Sequence, residues 1–130
     1  MALMQAMLSS HALSRLDRFG ESHRNAMAEA VLALFLARDG QILAEDRTTS
    51  GSGHAVDLPI RRIAARALLL EADEILIAHN HPGGDPTPSR QDILATNRLE
   101  RALFPFAIRL TDHVIVAGGA SFSFRQAGLL

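Results

Sequence analysis

Ile75-Leu76-Ile77-Ala78-His79-Asn80-His81-Pro82-Gly83-Gly84-Asp85-Pro86-Thr87-Pro88-Ser89-Arg90-Gln91-Asp92 is the stretch around which the 130-residue chain is arranged. Its first four residues are apolar, largely β-branched and bounded by turn formers, which reads as a buried strand. Side chains alternate faces along a strand, so His79 and His81 point to the same side. The Gly/Pro-rich loop that follows favours neither helix nor strand. A helical pattern begins at Ser89 and places Asp92 in its first turn. One fold-back can therefore gather two imidazoles and a carboxylate, and three such ligands with a fourth position open is the ligand set of a catalytic zinc.

Working outward, the composition sets bounds. The chain has the length of one domain, and 48% hydrophobic with 21% charged residues is the make-up of a globular protein with a core. A net charge of −1 argues against a domain whose main task is neutralising phosphates, so autonomous nucleic-acid binding is not expected. Without Trp or Tyr there is little aromatic surface for stacking bases, and without Cys no disulfide, thiol nucleophile or thiolate metal site. Any metal must be held by His and carboxylate. The apolar runs are too short to span a membrane, and the N-terminus lacks the basic region of a signal peptide, so the expected location is cytoplasmic with no membrane partner.

Residues 1–24 read as a short helical lead in two pieces, the second capped near Ser9-Ser10 and stopped at Gly20. Its Met/Leu-rich opening can pack on the domain or on a second copy of it, which makes a homodimer a reading to test. Residues 25–130 form the domain. Within Ala26–Ala37, Val31 to Leu36 reads as a buried strand, although the Ala and Leu content leaves helix as a competitor. Asp39-Gly40 then signals a hairpin into Ile42–Arg47. A polar loop, residues 48–57, leads to Pro59 and a helix over Ile60–Ala72, with a second helix from Ser89 to about Leu103, before Pro105. Phe106–Leu110, Val114–Ala117 and Phe122–Phe124 read as three short strands. Strands alternating with helices, with a hairpin at each end, predict an α/β fold whose sheet is mixed.

Each site residue also has a plain structural reading. Ser89-Arg90-Gln91-Asp92 fits a capping box, His79 and His81 can be satisfied histidines, and the loop can be a stiff turn. Their coincidence points to a metal. His11, His23 and His54 have no partner at a ligand spacing, and His113 can either support the metal or pair with Asp112. Hydrolysis also needs a general base. Of the carboxylates Glu29, Glu71, Asp73, Glu74 and Asp85, those placed to serve are Glu29, at a strand entrance, and Asp85, in the loop.

The pattern His-x-His-x7-Ser-x2-Asp, filled by His79, His81, Ser89 and Asp92, resembles the JAMM motif of the JAB/MPN metalloprotease family. The segment HNHPGGDPTPS looks like the RadC (UPF0758) branch, named as DNA repair proteins, whose members carry HNHPSGDPTPS. Asp112-His113-Val114-Ile115-Val116 and Ser123-Phe124-Arg125-Gln126-Ala127-Gly128-Leu129 resemble that branch's tail, and Glu29 ahead of Ala30–Leu36 resembles its early glutamate. The resemblance covers about residues 25–130. It implies a JAB/MPN-like, cytidine-deaminase-like mixed sheet flanked by helices, with His79, His81 and Asp92 as Zn2+ ligands, Glu29 as general base and Ser89 as oxyanion stabiliser. Asp92 is then assigned to zinc rather than to a capping box. The chain departs from the branch in lacking a Gly-rich helix-hairpin-helix lead, in Pro59-Ile60-Arg61 for Pro-Arg-Glu, and in Gly83 for Ser.

Two functions follow. One is a zinc-dependent JAMM-type peptidase or isopeptidase acting on a peptide or protein substrate. The other is a non-catalytic zinc-binding or interaction module associated with DNA repair or recombination. The intact set of five favours catalysis, because a scaffold has no use for Glu29 and Ser89 together. An HNH nuclease is excluded, since its motif residues come from separate parts of a ββα unit.

Overall fold

The computed structural model describes residues 8–49 and 57–130. Along the chain these form α1 (Ser10–Ser22), β1 (Ala30–Leu36), β2 (Ile42–Thr49), α2 (Ile60–Leu69), β3 (Glu74–Asn80), α3 (Arg90–Leu103), a 3-10 turn (Phe104–Phe106), β4 (Arg109–Ala117) and β5 (Ala120–Ser123). The five strands make one sheet in the order β2-β1-β3-β4-β5. β3 and β4 are parallel, joined by the crossover through α3, and every other pair is antiparallel. This is the mixed, helix-flanked α/β sheet expected, with JAB/MPN-like character.

Burial on both faces explains the near-continuous apolar runs of the central strands. All seven residues of β1 are buried, and six of seven in β3. Leu32, Leu34, Leu36, Leu76 and Ala78 pack under α1 with Ala12, Leu16 and Phe19. Val31, Ala33, Phe35, Ile75 and Ile77 pack on the other face with Ile63 and Ala67 of α2 and Leu99 and Leu103 of α3. Burying each such large side chain contributes roughly 1.5–3 kcal/mol, which settles strand over helix for Val31–Leu36.

The Asp39-Gly40 hairpin forms as expected. Gly40 adopts φ +87°, and a Cβ there would lie 2.7 Å from the Ser9 Cβ. Only glycine fits, because Ser9 docks on the turn. Its hydroxyl donates to Gly40 O at 2.8 Å while accepting the Ala12 N–H at 3.2 Å as the α1 N-cap. The helical lead thus packs on the domain itself. Its first expected piece falls largely on residues 1–7, outside the described residues.

Four boundaries differ from expectation. α1 runs through Gly20 to Ser22, because the buried Phe19 anchors the last turn against the sheet and outweighs glycine's roughly 1 kcal/mol helix penalty. β2 continues through Thr48 and Thr49, which pair with Val31 and Ala30, so the loop starts later; residues 50–56, His54 among them, lie outside the described residues. α2 ends at Leu69 rather than Ala72, where the chain turns through Glu71 at φ 52° and Ala72 N–H returns to Ala67 O.

The last difference concerns the three expected strands after residue 105, which are two. Thr111-Asp112-His113, which resembles a polar break, lies inside the nine-residue β4 and is buried throughout. The register explains how. Ile75 pairs with Leu110 but Leu76 pairs with Asp112, leaving Thr111 as an unpaired extra residue. Such a bulge flips the alternation, so Leu110 and His113, three apart, both face α3. Thr111 Oγ1 is left buried without a hydrogen-bond partner among the described residues.

Candidate metal centre

The carboxyl end of β3, the entrance of β1 and the first turn of α3 converge on one cleft of about 860 Å³. Val31 and His79 are the last pair of β1 and β3 at this end, and Glu29 and His81, each two residues beyond, lie close to one another. The His81 Nε2 lies 4.0 Å from Glu29 Oε1 and 2.9 Å from His79 Nε2. Asp92 completes the group, its Oδ2 at 3.1 Å from His81 Nε2 and its Oδ1 at 3.6 Å from His79 Nε2. Glu29, His79 and His81 each offer a ligand atom within 4.8 Å of the others and could hold a metal ion.

The hydrogen bonds around this corner determine where the imidazole protons sit. Thr96 Oγ1 donates to the Asp92 carbonyl at 2.8 Å, so toward His113 it can only accept. His113 Nδ1, at 2.7 Å, therefore carries the proton, and its Nε2 accepts one from His79 Nδ1 at 2.6 Å. His79 is left with a bare lone pair on Nε2. His81 reaches the same state separately, because its Nδ1 lies 2.9 Å from the Asp85 carbonyl and must donate to it. Metal-ligating histidines are typically oriented through such outer N–H donation.

Two imidazole lone pairs and a carboxylate thus face one another at 2.9–3.6 Å with no hydrogen among them. That arrangement is repulsive unless a cation occupies the centre. Ligand bonds of about 2.0–2.1 Å in tetrahedral geometry would separate ligand atoms by about 3.3 Å, within the observed spread. The donor set and its spacing fit a metal ion.

Electrostatics agree with these assignments. Burial holds His113 well below the ordinary histidine range, so it stays neutral as a relay. Its ring stacks on Phe124 with centroids 4.5 Å apart. Burial alone would raise the Asp92 carboxyl, but a positive charge at the histidine corner that it faces, together with the Ser89 N–H, holds it well below the usual carboxylate range.

Asp92 does close the capping box. Its Oδ2 accepts the Ser89 N–H at 2.8 Å, and Ser89 Oγ accepts the Asp92 N–H at 3.0 Å. Capping and facing the imidazoles are not alternatives, since one carboxylate has enough lone pairs for both. Ser89 lines the cleft and, having accepted, keeps its hydroxyl proton. Asp85 is exposed, its carboxylate engaged by Thr87. Glu71, Asp73 and Glu74 lie toward the opposite end of β3, about 20 Å away at some 3.3 Å per residue. His23 stacks on Phe19, and His11 is exposed on α1, both away from the cleft.

Sequence reasoning missed Thr96 and Asn80. Thr96 lies one turn beyond Asp92 and gives no local signal. Asn80 does give one, because an amide in a buried strand must find partners. It is 1% exposed, its Oδ1 accepts Ala30 N–H at 2.7 Å, and its Nδ2 donates to Ala28 O at 3.0 Å.

Comparison with known proteins agrees with this geometry. The RadC-like JAB domain profile matches residues 9–129. The UPF0758 protein YfjY of Escherichia coli K12 is 39% identical over 102 residues, covering 78% of this chain and 64% of its own length. The UPF0758 protein NMB1038 of Neisseria meningitidis serogroup B is 42% identical over 102 residues, covering 78% of this chain and 45% of its own. A UPF0758 protein of Rhodobacter capsulatus is 37% identical over the same length, 48% of its own. The chain spans less than two thirds of the length of these relatives. Among the described residues no helix is long and apolar enough to cross a membrane.

Proposed function

The chain belongs to the RadC-like JAB domain family, and on that premise we propose that it is a zinc-dependent metallohydrolase of the JAMM type, cleaving a peptide or isopeptide bond. The observation that carries this reading is the set of converging lone pairs on His79 Nε2, His81 Nε2 and Asp92, with Glu29 beside them at the cleft. His79, His81 and Asp92 would hold the zinc. The ion would supply a Lewis acid that polarises the scissile carbonyl and acidifies water at neutral pH.

The chain's own residues do the rest. Glu29, 4.0 Å from His81, takes the proton of the attacking water and returns it to the leaving amine. Ser89 keeps a hydroxyl proton to aim at the developing oxyanion, fixed by the helix start it caps. The cleft's apolar walls, Val31, Leu58, Ile60 and Leu94, favour an extended peptide over a small polar ligand.

The test is zinc content by elemental analysis, followed by a peptide and isopeptide hydrolysis screen of the zinc-loaded protein. We expect about one zinc per chain, its loss in His81→Ala, and hydrolysis abolished in Glu29→Gln with zinc retained. Absence of zinc after reconstitution would defeat the reading. Zinc without hydrolysis across the screen would defeat the catalytic part and leave a zinc-binding interaction module.

A further inference from the structure

The middle residue of His79-Asn80-His81 points away from the metal corner, yet it bonds the main chain on both sides of Glu29, the site residue at the entrance of another strand. β1 and β3 are paired up to Val31 and His79. Beyond that point β3 stays with β4, His81 N–H bonding Val116 O at 2.9 Å, and β1 parts from it. The Asn80 carboxamide fills the opening. Its oxygen accepts Ala30 N–H and its nitrogen donates to Ala28 O. Those two groups belong to the peptide units on either side of Glu29, the planes whose relative rotation is Glu29's φ and ψ.

We infer that Asn80 is a positioning residue that sets the main chain of Glu29, and so aims its carboxylate at the metal corner. This rests on the proposed function only for what Glu29 then does. Of the side chains that fit a buried strand, a carboxamide alone offers a donor and an acceptor side by side, matching a peptide edge. Leucine would leave both main-chain groups buried and unpaired, and aspartate would set an oxygen against Ala28 O. Three consecutive side chains thus split the work across the sheet. His79 and His81 supply nitrogens to one face, while Asn80 uses the other to fix where the base stands.

The test compares wild type, Asn80→Ala and Asn80→Asp. In zinc-free protein, amide exchange at Ala30 should quicken at least tenfold in Asn80→Ala, with Leu32 and Leu34 unchanged. Zinc affinity, titrated with the metal alone, should stay within about threefold of wild type, since Asn80 touches none of the three ligands. On whichever peptide the screen identifies, kcat should fall on the order of a hundredfold with KM unchanged, the scale of a displaced catalytic group. In a Glu29→Gln background Asn80→Ala should cost almost nothing further. If Asn80→Ala fails to fold, Asn80→Asp, which keeps the shape and the Ala30 acceptor, should show the same loss of kcat and the same silence in Glu29→Gln. Unchanged Ala30 exchange, or a loss of zinc as complete as in His81→Ala, would overturn the inference. A wild-type protein that binds zinc but hydrolyses nothing would defeat the proposed function instead, leaving the exchange and zinc measurements to judge Asn80.

Discussion

Two aspartates, each in a polar cluster beside β4, divide this protein into a part that is closed and a part that is open. Asp112 is completely buried and completely satisfied. Its Oδ1 accepts the N–H groups of His113 and Arg125 at 2.8 and 2.9 Å, and its Oδ2 accepts the Ser123 hydroxyl at 2.5 Å. Arg125 then bonds the carbonyls of Leu110 and Thr111. Donors and acceptors match, and nothing remains for a ligand. Asp92 sits among groups that are also well held, but what they hold is a surplus of acceptors. Apart from the Ser89 N–H that Asp92 accepts, the donors around it are directed outward, to Thr96, His113 or the Asp85 carbonyl, and the imidazole lone pairs face inward. A polar cluster that balances itself supports the fold, and one that leaves like lone pairs converging could hold a cation.

The largest expected effect that would break this contrast is on Asp112. Asp112→Ala strands two buried N–H groups and a hydroxyl, and should cost about 3 kcal/mol or more of stability in urea denaturation, at roughly 1–3 kcal/mol per unpaired group. Zinc content per folded chain should be unchanged. If zinc is lost while stability holds, the two clusters have been assigned the wrong way round.

A smaller effect sharpens the open side. Thr96→Val removes the acceptor for His113 Nδ1–H and frees His79 to take the other tautomer. Zinc affinity, read by chelator competition, should drop ten- to a hundredfold, as losses of outer partners of metal ligands do. An unchanged affinity would show that the Thr96–His113–His79 string does not set the ligand's proton.

The smallest effect is in pH dependence, and its sign differs between the clusters. Burial pushes the Asp112 carboxyl up, against the hydrogen bonds of Ser123 and the Arg125 and His113 N–H groups. A raised carboxyl favours the folded state below its unfolded pKa of about 3.9, and that advantage is lost as pH climbs through the folded value. Asp112→Asn should therefore gain on wild type in Tm as pH rises from about 4. Asp92 is held low, so in the zinc-free protein its contribution is present above about pH 4 and fades as pH falls. Asp92→Asn should trail wild type at neutral pH and approach it in acid. Tm profiles of the two variants with the same slope would undo the distinction.

The features legible in the sequence were those with short-range causes. Asp39-Gly40 announced its hairpin, the β-branched run its buried strand, and Ser89 its helix start. His79 and His81 share a face by simple alternation, and the resemblance pointed to Glu29 and Asp92. What escaped depends on partners far along the chain. Thr111-Asp112-His113 looks like a loop until Ser123, Arg125, Thr96 and His79 are known to receive it, and those lie 11 to 34 residues away. The same distance hid the function of His113, which no neighbour in sequence could assign. Asn80 drew no reading of its own because its partners lie fifty residues upstream. Capping and metal-facing seemed to compete for Asp92 because a pattern of letters does not count lone pairs.

The unpaired Thr111 carries a consequence of a different order, one of length rather than chemistry. It lets Leu110 face the apolar core and His113 face His79 from the same side of one strand. Were Thr111 drawn into an unbroken ladder, the three-residue spacing would turn one of the two to the wrong face. The chain could lose the bulge only by losing a residue with it, since a spacing of two in a regular strand again puts both side chains on one side. Spacing and bulge therefore stand or fall together, and a substitution at Thr111 that keeps the bulge should leave both side chains where they are.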